Sequence, residues 1–175
     1  MQLFHCFNRY LLACAVLGMV FSACSERAAK PKTTAVDWSE RSLVQLPNDS
    51  LTEGSTYLAV YSEIYSITEK RTHHLTVTVS MRNTSATDSV FVLRADHYNT
   101  AGELVRSYFD GPVFIRPLET VEIVIGEGDT DGGTGGNFIF DWQMRPGGSK
   151  PLFEAIMIST SGSQGLSFTS QGVER

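Results

Sequence analysis

The stretch Leu75-Thr76-Val77-Thr78-Val79-Ser80-Met81 decides the fold. Apolar and small polar residues alternate along it, and successive side chains of a strand point to opposite faces. Leu75, Val77, Val79 and Met81 are therefore expected on a buried face, with Thr76, Thr78 and Ser80 on a wet one. The same grammar recurs on both sides. Downstream, Val121, Ile123 and Ile125 alternate with Glu122 and Val124, and Phe138, Phe140 and Trp142 alternate with Ile139, Asp141 and Gln143. Ser89–Tyr98, Phe153–Thr160 and Leu166–Ser170 read as further strands, and upstream Thr56–Tyr61 begins the sheet. Turn formers stand between them: Asn83-Thr84-Ser85, Asn99-Thr100-Ala101-Gly102, Arg145-Pro146-Gly147-Gly148 and Ser161-Gly162-Ser163. No segment carries a long helical period, and there is no internal repeat. About eight short strands at this spacing predict an all-β fold over residues 51–175. The expected architecture is a single antiparallel β-sandwich, with an immunoglobulin-like arrangement as the first guess.

Upstream of the strands the composition changes twice. Residues 1–23 read as a signal peptide, with His5 and Arg9 in a short leading region and Tyr10–Val20 as the apolar run. That run, about 14 residues with its flanks, falls short of the roughly 20 that a spanning helix needs. Phe21-Ser22-Ala23-Cys24 closes it and resembles the lipobox of bacterial lipoproteins, with Phe21 where leucine is usual. Leu11-Leu12-Ala13-Cys14 has a similar look but lies too close to Arg9 for an apolar run to precede it. A plain secretory peptide or a retained anchor is the competing reading. Cysteine use favours the lipid: Cys6 and Cys14 fall in the leader, so cleavage before Cys24 leaves one thiol, at the extreme N-terminus. No internal disulfide, cysteine nucleophile or cysteine zinc site then remains. An acyl chain of the palmitate class on Cys24 would anchor the chain to a membrane. Residues 24–50 carry charges, Pro31, Pro47 and small polar residues, and read as the lipidated N-terminus and a flexible tether, with Trp38 a candidate to dock on the domain. As a coil the tether would reach roughly 28 Å. Ser25 is not the aspartate that resembles an inner-membrane retention signal, so in a diderm envelope the periplasmic side of the outer membrane is the expected address.

The chain of 175 residues has a formal net charge of -5 and no basic run. A nucleic-acid partner is not expected. Anionic headgroups would repel such a surface, so membrane contact should come from the anchor.

The strands together resemble a bacterial family catalogued as domain of unknown function 3124, over about Leu51–Gly172. The resemblance begins at Tyr57-Leu58-Ala59-Val60-Tyr61-Ser62-Glu63-Ile64-Tyr65 and runs through Met81-Arg82-Asn83-Thr84, Tyr98, Gly102-Glu103-Leu104-Val105 and Tyr108. It is most specific at Asp129-Thr130-Asp131-Gly132-Gly133-Thr134-Gly135-Gly136-Asn137-Phe138, then Trp142, and closes at Glu154-Ala155, Gly165, Phe168 and Gly172. It implies a short exported or lipid-anchored protein and supplies no catalytic residue.

The Gly-rich stretch from Gly126 to Asn137 is the leading candidate site. Asp129, Asp131 and Asn137 could offer oxygens to a cation, and Gly132, Gly133 and Gly135 let a backbone approach a partner closely. The calcium pattern is incomplete: counted from Asp129, the fifth place holds Gly133 and the twelfth Phe140. No Lys-Ser/Thr pair follows the glycines, so a phosphate loop does not fit. The bland reading is a surface loop whose glycines supply positive φ. His73 and His74 would point to opposite faces of a strand, and His97 reads as an exposed or hydrogen-bonded histidine. Gly162-Ser163-Gln164-Gly165 lacks nucleophile-elbow spacing, which leaves Ser163 a turn residue. Tyr57, Tyr61, Tyr65, Tyr98 and Tyr108 read as core or edge residues with wet hydroxyls, or as a partner groove. The sequence therefore leans away from an enzyme and implies no catalytic residue, metal or cofactor. The expected role is a non-catalytic, membrane-anchored envelope lipoprotein that binds an unknown protein partner. The alternative is a small-molecule- or metal-binding protein, or an enzyme, with its site at the Asp129–Asn137 loop.

Overall fold

The computed structural model describes residues 36–47, 50–160 and 165–175. The signal peptide, Cys24, the first part of the tether and the turn Gly162-Ser163-Gln164 lie outside the described residues. Among the described residues twelve strands follow one another: β1 (Thr52–Val60), β2 (Glu63–Ser66), β3 (Thr68–His74), β4 (Thr76–Arg82), β5 (Val90–Tyr98), β6 (Leu104–Ser107), β7 (Val113–Ile115), β8 (Thr120–Ile125), β9 (Gly136–Met144), β10 (Leu152–Ser159), β11 (Leu166–Gln171) and β12 (Val173–Glu174). A single 3-10 turn, Gly133–Gly135, leads into β9.

Two antiparallel sheets make the all-β sandwich. One runs β12-β1-β9-β5-β6, with β7 also on the free side of β5; the other runs β11-β10-β4-β8. The immunoglobulin comparison holds at the level of two packed antiparallel sheets. In strand order, β1 pairs with β9 along Thr52–Val60, whereas an immunoglobulin constant domain sets its first two strands side by side. Alternation explains the core. Leu75, Val77, Val79 and Met81 are all fully buried, as the opening stretch predicts. They face Phe138, Phe140 and Trp142 of β9, and Phe140 stacks on Phe153 of β10 with ring centroids 4.3 Å apart. Burying a side chain of this size contributes about 1.5–3 kcal/mol. Trp142 keeps its one donor satisfied by giving Nε1–H to Thr56 Oγ1 at 3.0 Å.

Three features depart from the pattern. Ser80, expected on the wet face, is buried and donates to Glu122 Oε1 at 3.3 Å across to β8. The hairpin β2–β3 is a separate two-stranded sheet whose residues are mostly exposed, so it carries no apolar alternation to read. His73 and His74 close that hairpin, and His74 Nε2 meets Glu63 Oε1 at 3.1 Å. Finally, β11 and β12 belong to different sheets. Gly172 carries the chain across, because a Cβ there would meet Thr56 Cγ2 at 2.6 Å.

Within the stretch read as tether, residues 41–43 pair with β7. Ser42 bridges Val113, and Leu43 N–H donates to Pro112 O at 2.8 Å. The Trp38 ring sits 5.0 Å from Phe109, and Arg41 grips Glu119 with two hydrogen bonds of 3.0 and 2.9 Å.

Candidate functional site

The Gly-rich loop closes one end of the sandwich, where β1 and β5 end and β6 begins. Two tight turns shape it: Asp129 N–H donates to Gly126 O, and Gly133 N–H to Thr130 O, both at 2.9 Å. Thr100, from the β5–β6 turn, clamps it. Its N–H and its hydroxyl both donate to Gly132 O at 3.2 Å, and its Oγ1 accepts from Gly135 N–H at 2.9 Å. Ser62 N–H adds a bond to Gly133 O at 3.1 Å.

The glycines answer to this packing. Only Gly133 in the loop has positive φ, at 68°. Gly132 is buried, and a Cβ on it would lie 2.7 Å from His97 Nε2 and 2.8 Å from Ser62 Oγ. At Gly136 a Cβ would meet two carbonyl oxygens, of Gly132 at 2.9 Å and Tyr98 at 3.0 Å. The close approach that glycine permits is thus made to the protein's own strands.

Beneath the loop lies a group of polar atoms that sequence reading did not assemble. Among the described residues, Ser62 Oγ, His97 Nε2 and Asp129 Oδ1 are buried without a hydrogen-bond partner, and Tyr108 Oη is buried against the Arg106 guanidinium. They come from the β1–β2 link, β5, the loop itself and the segment after β6. Burying such a group unpaired costs about 1–3 kcal/mol, and a few scattered instances would be ordinary. Here all four sit at one end of the sandwich. Ser62 and His97 meet at Gly132. The His97 ring stacks on Phe138 at 4.8 Å, and Tyr108 packs on the same ring at 5.6 Å. Arg106 joins the last two groups: it lies 5.8 Å over the Tyr108 ring and holds Asp129 Oδ2 at 3.2 Å.

These contacts correct two expectations. His97 is neither exposed nor hydrogen-bonded at Nε2: it is 1 % exposed. Tyr108 has no wet hydroxyl. Burial pushes the His97 imidazole below its ordinary value, with Arg106 assisting and Asp129 and Asp131 opposing. Burial likewise pushes the Tyr108 hydroxyl up, against the pull of Arg106. Near neutral pH the ring is therefore uncharged and the phenol protonated, so both can accept a hydrogen bond.

The other candidates are dispersed. Asp131 is exposed, and Asn137 sits within β9 between Ala59 and Tyr98. Among the described residues no three His, Cys, Asp or Glu side chains are grouped so as to hold a metal. Tyr57 and Tyr65 are exposed on β1 and β2, while Tyr61 packs edge-on against Phe168 at 5.8 Å. A surface depression of about 350 Å³ over Trp142, lined by Glu53, Ser55 and Asp141, does not touch the loop.

A family model described as protein of unknown function (DUF3124) matches residues 53–174. No curated protein and no solved structure matches the chain.

Proposed function

For a chain that belongs to the family of proteins of unknown function DUF3124, we propose a role as a non-catalytic, lipid-anchored envelope protein whose sandwich binds a partner at its loop end. One observation supports the binding role: Ser62 Oγ, His97 Nε2 and Asp129 Oδ1, buried and without a hydrogen-bond partner in the protein, gather with Tyr108 at one loop end. The anchor rests on Ser22-Ala23-Cys24 after the apolar run, and Ser25 supports sorting to the outer membrane in a diderm envelope.

Two experiments test this reading. Cys24→Ala is expected to move the protein out of the membrane fraction, or to leave it unprocessed. A membrane-bound variant with unchanged mature mass would remove the lipid anchor from the proposal. A photocrosslinking residue at exposed Asp131 is expected to trap a discrete adduct in intact membranes, while the same residue at exposed Thr169, on the far sheet, does not. Matching adduct patterns at the two positions would defeat the assignment of the loop end as the binding surface.

A further inference from the structure

Resting on that binding reading, the chemistry of the loop end names what it takes. Three unpaired atoms can each accept a hydrogen bond: the Ser62 hydroxyl oxygen, the Asp129 carboxylate Oδ1 and, in its Nδ1–H tautomer, the His97 imidazole Nε2. Asp129 and Asp131 stand against the single cation Arg106, which leaves the site with an excess of negative charge. An anion would be repelled there. A group rich in N–H and positively charged would be held. A primary ammonium has three N–H donors, and the site can supply at least that many acceptors.

Gly132 controls entry. A Cβ on it would lie 2.7 Å from His97 Nε2 and 2.8 Å from Ser62 Oγ, so the backbone there leaves no room for a further group while the loop is down. The loop is held by bonds that can be exchanged. Two to Gly132 O are 3.2 Å long, the one to Gly133 O is 3.1 Å, and the Arg106–Asp129 pair at 3.2 Å is partly exposed. Gly133, already in the left-handed region, sits at the turn that would move. We propose that Ser62, His97 and Asp129 form a binding site for a primary ammonium group, with the loop around Gly132 as its lid. The ammonium belongs either to a small free amine or to a lysine or N-terminus of a polypeptide.

The test uses the full chain in detergent, labelled with ¹⁵N at histidine, so that the His97 ring nitrogens report directly. Methylammonium chloride is the first probe. It is expected to shift the His97 Nε2 resonance saturably, while tetramethylammonium chloride and sodium acetate at equal ionic strength do not. Asp129→Asn and Ser62→Ala, each checked by its melting curve, are expected to weaken the methylammonium response at least tenfold. A short peptide with one lysine then separates the sources. Tenfold tighter binding than methylammonium assigns a polypeptide amine, and equal or weaker binding assigns a free one. No shift with any amine, or the same shift with tetramethylammonium, overturns the ammonium site. If the Asp131 crosslink persists in that case, the partner-binding reading stands without it. If the amine binds but no crosslink forms, the site stands and the protein partner falls.

Discussion

A single missing methyl group decides whether the loop can lie down. Gly132→Ala would place a carbon inside contact distance of both His97 Nε2 and Ser62 Oγ, neither of them the far end of a flexible chain. Overpacking of this kind costs typically about 1–3 kcal/mol. Gly128, four residues earlier, has nothing within 4 Å of its would-be Cβ and no positive φ. Gly128→Ala is therefore expected to be neutral, or to raise stability by about 0.4–1 kcal/mol through the unfolded chain. Thermal melts of the two variants check this, and equal losses would mean that the loop does not pack on His97. The glycines look alike in the sequence; what separates them is what each one touches.

At the scale of the element, β4 carries the contrast between the two faces of a strand. Val77 is fully buried between β10 and β8, whereas Thr78 is half-buried on the outer face beside Ile156 and Val124. Val77→Asp would bury an unpaired charge and is expected to cost several kcal/mol, about enough to unfold a marginal domain. Thr78→Asp is expected to cost under about 1 kcal/mol, because its carboxylate stays in water. Denaturant midpoints measure both, and similar losses would reverse the assignment of the faces. The hairpin β2–β3 shows the opposite situation. Its tip residue Ile67 is 87 % exposed and holds φ at 66°, a backbone conformation that β-branched residues rarely adopt. Ile64 is the one residue of this hairpin that packs against the core, so no apolar spacing marks the element, and no glycine marks its turn.

Across the whole molecule, acid should loosen the fold in two separate windows. His97 has a folded pKa below the ordinary imidazole value of 6.5, so the unfolded chain binds that proton more readily. Its contribution to stability is full above about pH 6.5 and is lost as pH falls from there to the depressed folded value. Glu119 and Asp141 act lower. Hydrogen bonds from Arg41 hold Glu119 below its usual range; burial pushes Asp141 up, but Arg94 and Ser55 outweigh it. Their contributions are present above the usual carboxylate range, about pH 4, and are lost as pH falls through the folded values. The melting temperature followed from pH 8 to pH 3 is expected to decline in these two windows, and His97→Gln is expected to abolish the upper one alone. If the upper decline survives in His97→Gln, some other group is responsible for it.

The sequence by itself determined the sandwich. A strand buried on one face must alternate, and Leu75–Met81, Val121–Ile125 and Phe138–Trp142 do so, which places the core residues. It also marked the Gly-rich stretch as unusual. It could not reveal what the stretch covers, because Ser62, His97, Tyr108 and Asp129 lie far apart along the chain and match no spacing rule. Nor could it reveal that β11 and β12 belong to different sheets, a crossing that rests on one glycine beside Thr56. Periodicity records which way a side chain faces within its own strand. Which polar atoms are left without partners depends on how the strand ends and loops meet, and only the tertiary structure decides that.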